Sequence, residues 1–113
     1  MPLPKWRRLK EAYPDHGFLG EETGETRMDA EHIWIIDPLD GTSNFLHGVP
    51  IFAVSLALER EGQLIAGVVY NPAIDEMYIA EKGQGAYFNN RRMRVAARRT
   101  LSESMVACGI PPL

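Results

Sequence analysis

Large apolar residues recur at every second position in the middle of the chain. Phe52, Val54, Leu56 and Leu58 fall on one face of an extended segment, while alanine and serine fill the positions between them. This period of two is typical of a β-strand, because successive side chains of a strand point to opposite faces. We therefore predict a strand over Ile51–Glu59.

Similar segments flank this strand, separated by runs of glycine, asparagine, proline and charged residues that favour turns. Together they predict a mostly antiparallel meander that extends from about Trp34 to Ala96, with Asp37 at the end of its strand. The further predicted strands are Ile33–Asp37, Leu64–Tyr70, Glu76–Glu81, Ala86–Asn89 and Met93–Ala96.

One sizeable helix is predicted near the N-terminus. Pro4 suits its first turn, Trp6, Leu9 and Tyr13 lie at i, i+3 and i+7 on one face, and Pro14 ends it. A basic cluster surrounds this face, and we interpret it as a solvated surface rather than an arm for RNA or membranes, because the rest of the chain is acidic. The cluster consists of Lys5, Arg7, Arg8 and Lys10.

The other predicted helical segments are short. One covers Thr42–His47, with Asp40 or Thr42 as its N-terminal cap, and a single helical turn is predicted over residues 100–103. Two predicted strands are apolar on both faces, which favours a sheet that is covered on both sides. The chain therefore contains fewer covering layers than its own strands require.

Composition narrows the class of protein. The 113 residues fit one domain, and 12 basic against 15 acidic residues give a net charge of −3, which argues against a dedicated nucleic-acid binder. A single cysteine forms no intramolecular disulfide and favours a reducing compartment. The N-terminus lacks the apolar segment of a secretory signal, and no apolar run approaches the ~18 residues of a membrane span. We expect a cytoplasmic protein.

The sequence WIIDPLDGTSNF leads an apolar strand into two carboxylates. Asp37 and Asp40 are three residues apart around Pro38, whose fixed φ stiffens the turn, so both can converge on one cation. Gly41 and Thr42 would present N–H groups suited to an anion. Oxygen ligands without His or Cys favour Mg²⁺ over zinc. Asp-Pro and Asp-Gly pairs are also ordinary turn formers, but the combination suits phosphate-ester chemistry.

The remaining reactive side chains have ordinary interpretations. His16, His32 and His47 lack the spacing of metal ligands and are expected to be surface or packing residues. Cys108 is expected to be a small core residue.

Taken with Gly20-Glu21-Glu22, the aspartate motif resembles the inositol monophosphatase family, in particular its bacterial members. The likeness continues through Ala53–Ser55, Gly67–Tyr70 and Lys82–Ala86, and so covers nearly all of the chain from about Pro14 onward. It implies an α/β layered sandwich with the mostly antiparallel meander in its N-terminal half. Residues 1–113 would then form a single, partial domain of that fold.

The resemblance also implies a metal site. Glu21 resembles a catalytic residue and a ligand of the first metal, and Asp37 resembles the carboxylate that bridges the metals. The Leu39 carbonyl resembles a backbone ligand, and Asp40 resembles a ligand of the second metal. The implied cofactor is Mg²⁺.

A phosphate site is implied by the same resemblance. Gly41, Thr42 and Ser43 resemble the phosphate-binding residues, and the Thr42 hydroxyl resembles the catalytic group that positions the attacking water. The activity implied is hydrolysis of inositol monophosphate to inositol and phosphate by metal-activated water. Bisphosphate nucleotidase, fructose-bisphosphatase and a non-catalytic metal-binding or interaction module remain alternatives.

The same resemblance implies the partners of the protein and the share of the family domain that this chain covers. The expected partners are a small phosphorylated substrate and a second copy in a homodimer, without membrane or nucleic acid. Family members are more than twice as long, and they place one aspartate upstream and another in a second half. We therefore expect a partial copy with little activity on its own.

Overall fold

The computed structural model describes residues 5–21 and 23–109. Eight strands form one sheet: β1 (Gly17–Gly20), β2 (Gly24–Thr26), β3 (His32–Asp40), β4 (Ala53–Arg60), β5 (Gln63–Asn71), β6 (Glu76–Glu81), β7 (Gly85–Phe88) and β8 (Arg91–Met93). Their order across the sheet is β2-β1-β3-β4-β5-β6-β7-β8. Strands β1 and β3 are parallel, and the other neighbouring pairs are antiparallel.

The predicted antiparallel meander is confirmed from β3 to β8. Strands β4 and β5 are joined by Glu61 and Gly62, which have φ angles of 49° and 81°. Asn89 and Asn90, with φ angles of 44° and 69°, join β7 to β8 in the same way. Two residues with positive φ are the pattern of a type I′ turn, whose twist matches that of the paired strands.

Three parts of the sheet differ from the sequence-based expectation. Strands β1 and β2 lie in a stretch without a predicted strand, because they are short and glycine-bounded and give little periodic signal. Strand β3 continues past Asp37 to Asp40. The last strand is Arg91–Met93 rather than Met93–Ala96, because the Asn89-Asn90 turn needs only two residues before the chain returns.

The helices agree with the predictions in place but not in capping. Helix α1 (Lys5–Ala12) ends before Pro14, and helix α2 (Thr42–Leu46) and a 3₁₀ turn (Leu101–Glu103) lie where short helices were predicted. Pro4 and the side chain of Trp6 are outside the described part of the chain. The predicted cap of α2 is wrong, because Gly41 occupies the N-cap position and no side chain caps the helix.

An aromatic cluster joins the segment after α1 to β3. The rings of Tyr13 and His16 stack with their centroids 4.8 Å apart, and those of His16 and His32 stack at 4.7 Å. The indole Nε1–H of Trp34 donates a hydrogen bond of 3.0 Å to His16 Nδ1. His16 and His32 are thus packing residues, as expected.

The sheet is largely open to solvent. Among the described hydrophobic residues only Phe18, Ile33 and Ile36 are buried. Large apolar side chains farther along the sheet remain exposed, including Val69 and Ile79. Cys108 is also exposed, contrary to the expected core position. Within the described part, no helix has the length and apolar character needed to cross a membrane.

Candidate metal and phosphate site

A β-bulge places Asp37 and Asp40 on the same face of the sheet. Asp37 pairs with Ser55 and Asp40 pairs with Ala53, so three steps along β3 oppose two steps along β4. Ser55 and Ala53 share a face, because side chains alternate with a period of two. In a regular strand, residues three apart would face opposite sides, and the bulge removes that difference.

Strand β1 brings Glu21 to the same end of the sheet. Its last residue, Gly20, pairs in parallel with Ile36. Glu21 directly follows Gly20 and Asp37 directly follows Ile36, so the two acidic residues come next along neighbouring segments. A Cβ atom on Gly20 would lie 2.5 Å from the Ile36 carbonyl oxygen and 2.8 Å from Thr23 Oγ1. Glycine is therefore required for this close approach. Glu22, the second residue of the glutamate pair, is outside the described residues.

Hydrogen bonds within residues 37–42 fix the shape of the aspartate turn. Asp37 Oδ1 accepts a bond of 3.1 Å from the Leu39 N–H, and the Leu39 carbonyl accepts one of 3.2 Å from the Thr42 hydroxyl. Gly41 has φ 86° and ψ 38°, a left-handed conformation that favours glycine. Asp37 therefore supports the turn with one carboxylate oxygen, and Thr42 reaches the carbonyl that was predicted as a metal ligand.

Asp40 and Gly41 border an open groove of about 350 Å³. Asn44 and Asn71 line the same groove, and both donate hydrogen bonds to the loop between α2 and β4. No sequence pattern around either asparagine indicated a role at this site. Asn71 stands before Pro72 in a predicted turn, a position where its side chain has a turn-forming role without reference to any ligand.

The donor set suits a hard cation. Three carboxylates and a backbone carbonyl, from Glu21, Asp37, Asp40 and Leu39, supply only oxygen atoms, which Mg²⁺ prefers. The backbone brings these residues to one end of the sheet. Across residues 5–21 and 23–109, however, no three His, Cys, Asp or Glu side chains are close enough to hold a metal ion. The roles of Glu21, Asp37, Leu39 and Asp40 as ligands, and of Gly41, Thr42 and Ser43 towards phosphate, stay predictions.

Comparisons with known proteins agree with this architecture. An inositol-1-monophosphatase of Mesorhizobium japonicum is 58% identical over 106 residues, which are 93% of this chain and 40% of that protein. The Nus factor SuhB of Pseudomonas aeruginosa is 45% identical over 91% of this chain and 39% of its own length. The crystal structure of the extragenic suppressor protein suhB from Bartonella henselae superposes with a TM-score of 0.80 and 57% identity, over 85% of this chain and 41% of that one.

The chain thus spans about 40% of the length of the curated relatives that it matches. The model of the inositol monophosphatase family matches residues 5–111, which include the aspartate turn and every strand of the sheet. This chain belongs to the inositol monophosphatase family.

Proposed function

We propose that residues 21–43 form the metal- and phosphate-binding part of a Mg²⁺-dependent phosphomonoesterase that hydrolyses inositol monophosphate to inositol and phosphate. The observation that supports this proposal is the bulge in β3, which sets Asp37 and Asp40 on one face beside the strand end that precedes Glu21. The relative named inositol-1-monophosphatase supports the substrate class.

Each residue of the turn has a part in the proposed reaction. The carboxylates of Glu21, Asp37 and Asp40, with the Leu39 carbonyl, would hold the metal. When bound, Mg²⁺ would supply positive charge for the phosphoryl group and lower the pKa of a water molecule. The Thr42 hydroxyl lies in the same turn, 3.2 Å from the Leu39 carbonyl oxygen, and would orient the attacking water.

The phosphate group would be received by the start of α2. The backbone of Gly41 and Thr42 and the exposed Ser43 stand next to Asp40, so an anion there would face the cation held by the carboxylates. A developing charge on the phosphoryl oxygens is stabilised when such groups are already in place. This arrangement needs no covalent phospho-enzyme, so the chain requires no histidine nucleophile.

Metal binding is the direct test. Calorimetric titration of Mg²⁺ into the wild-type chain should give binding, and Asp37→Asn should weaken it by at least about tenfold, because even indirect supports of a ligand cost about 10–100-fold. Asp29→Asn makes the same chemical change at an exposed residue between β2 and β3 and should leave binding unchanged. Equal Mg²⁺ affinity for the wild type and Asp37→Asn would end the proposal.

A phosphate-release assay distinguishes the alternatives. Inositol monophosphate, a nucleotide bisphosphate and fructose bisphosphate would be incubated for long times with and without Mg²⁺. Hydrolysis of inositol monophosphate only with Mg²⁺ supports the proposal, whereas a preference for either bisphosphate favours the corresponding activity of the superfamily. Because the 113-residue chain alone is expected to hydrolyse little, Mg²⁺ binding without hydrolysis favours a non-catalytic module only where a family-length protein that carries residues 21–43 of this chain is inactive as well. The homodimer and the cytoplasmic location stay predictions.

A further inference from the structure

Two asparagine side chains hold the loop between α2 and β4. Asn44 Nδ2 donates a hydrogen bond of 2.8 Å to the Ile51 carbonyl oxygen, and Asn71 Nδ2 donates one of 2.9 Å to the Pro50 carbonyl oxygen. Both asparagines are half-buried. One lies in α2 and the other at the end of β5, so two different elements hold two consecutive carbonyls of the loop.

The loop that they hold packs against Gly41. A Cβ atom at Gly41 would lie 2.9 Å from the Ile51 carbonyl oxygen and 3.2 Å from Phe52 Cα. The rings of Phe45 and Phe52 meet edge to face with centroids 5.1 Å apart. A displacement of the loop would therefore displace the turn that contains Asp40 and Gly41.

We propose that Asn44 and Asn71 are positioning residues that clamp residues 50–52 against the Asp40-Gly41 turn and so keep this turn in place for a divalent cation and a phosphate group. The inference rests on the function proposed above, since that function gives the turn its ligands. Neither asparagine needs to touch a ligand, because each acts through a backbone carbonyl of the loop.

Asn71 also links the clamp to the turn after β5. Its Oδ1 accepts a hydrogen bond of 3.0 Å from the Ala73 N–H, while its Nδ2 donates to Pro50. Asn71→Asp keeps the acceptor for Ala73 and removes the donor to Pro50. The substitution therefore tests the clamp without removing the support of the turn after β5.

The first measurement is amide hydrogen exchange of the 113-residue chain without ligand, read by NMR. The Phe45 and Ile51 N–H groups donate to the Gly41 and Val49 carbonyls in the turn and loop that the clamp holds. Asn44→Ala and Asn71→Asp should each lower the protection of these two amides against exchange about three- to tenfold, which is the effect of losing one hydrogen bond. The amides of β6 and β7 should not change. Asn90→Asp, in the exposed turn before β8, is the matched control and should alter neither region.

The second measurement is binding of Mg²⁺ alone and of inorganic phosphate. Asn71→Asp should weaken Mg²⁺ about three- to tenfold, although its added negative charge would by itself attract the cation. A loss of Mg²⁺ affinity in this variant therefore reports a displaced site rather than a changed charge. Phosphate is titrated into Asn44→Ala, which adds no charge, and the same loss is expected.

The outcomes separate the clamp from the proposed function. Exchange and Mg²⁺ affinity that match those of Asn90→Asp would overturn the clamp, and so would a uniform acceleration that includes β6 and β7, because the asparagines would then support only global stability. A wild-type chain that binds neither Mg²⁺ nor phosphate would end the proposed function, while faster exchange confined to the Phe45 and Ile51 amides would still support the clamp. If Asn44→Ala does not fold, the amide exchange and the Mg²⁺ affinity of Asn71→Asp decide whether the clamp exists.

Discussion

Gly41 combines a positive φ with a Cβ position that is occupied by backbone atoms, and Gly48 shares only the first of these constraints. Its φ of 86° disfavours any side chain, and the backbone of Ile51 and Phe52 occupies the space that a Cβ atom would need. Gly48 has a similar φ of 73°, but no atom lies within 4 Å of its Cβ position. The pair therefore allows backbone strain to be separated from steric contact.

Gly48→Ala should lower the free energy of unfolding by about 1–2 kcal/mol, which is the usual cost of a left-handed alanine. Gly41→Ala should cost this amount and about 1–3 kcal/mol more, because the methyl group overpacks the loop. Urea midpoints of the two variants measure the difference. Identical midpoints would show that the loop yields without cost and that Gly41 is needed only for its φ angle.

The residues of the site were more predictable than their arrangement. Asp37, Asp40 and Gly41 stand out in the sequence because carboxylates and glycine directly follow an apolar strand. The bulge that turns both aspartates to one face was not predicted, because it depends on the pairing of β3 with β4 rather than on the residues of β3 alone. The clamp by Asn44 and Asn71 was not predicted either, because it depends on how the loop before β4 folds against α2 and β5.

At the scale of elements, the aromatic cluster links the segment after α1 to β3. The Trp34 indole donates to His16 Nδ1, which accepts a hydrogen bond only when that nitrogen is unprotonated. Burial and the adjacent His32 lower the pKa of His16 below its usual 6.5, whereas Asp15 and Glu31 act in the opposite direction. Glu31 is itself paired with Arg60 at 2.9 Å. The neutral form of His16 is therefore the one that this packing favours.

The chain should lose stability as the pH falls below about 6.5, because the unfolded chain then binds more protons than the folded one. The contribution of His16 is complete above that pH and is lost as the pH falls through its lowered, folded-state pKa. Urea unfolding followed by Trp34 fluorescence in a Trp6→Phe background, at about pH 7.5 and about pH 5.5, measures this loss.

His16→Asn should remove most of that pH dependence, whereas His47→Asn, at an exposed position in the loop after α2, should keep it. An undiminished loss of stability in His16→Asn would assign the titration to another group.

Strand length decided which strands could be predicted from the sequence. Strand β6 was predicted with its observed bounds and β4 to within two residues at each end, whereas β1 is held by parallel pairing with β3 and has too few residues to show a period.

At the scale of the whole molecule, the open sheet is the dominant feature. Leu64 is 59% exposed, Val69 43% and Ile79 38%, although they lie in strands with neighbours on both sides. Apolar strands of this kind normally pack against further layers. The aspartate turn is thus part of a sheet whose apolar side chains are largely exposed in residues 1–113, which span about 40% of the length of the curated relatives.

We expect the 113-residue chain alone to hydrolyse inositol monophosphate barely above background. Glu21, Asp37 and Asp40 supply three negative charges against the four of two Mg²⁺ ions, and the further carboxylate implied by the family resemblance lies outside residues 1–113. The resemblance also implies an upstream aspartate that orients the threonine and has no match within residues 1–113, and losing a positioning group commonly costs roughly 10²–10⁴ in rate. Movement of the turn on the open sheet by about 1 Å can cost a further ~10²-fold.

The phosphate release of the isolated chain should be compared with that of a family-length chimera. In this chimera, residues 21–43 of this chain replace the matching segment of the Mesorhizobium japonicum relative. It should show robust, Mg²⁺-dependent phosphate release, and Asp37→Asn within it should abolish that release, because the relative supplies the rest of a family-length protein while the turn is this chain's own. An inactive chimera would place the fault in residues 21–43. Equal turnover by the isolated chain and the chimera would show instead that the Glu21, Asp37 and Asp40 carboxylates, on an open sheet, suffice for the reaction.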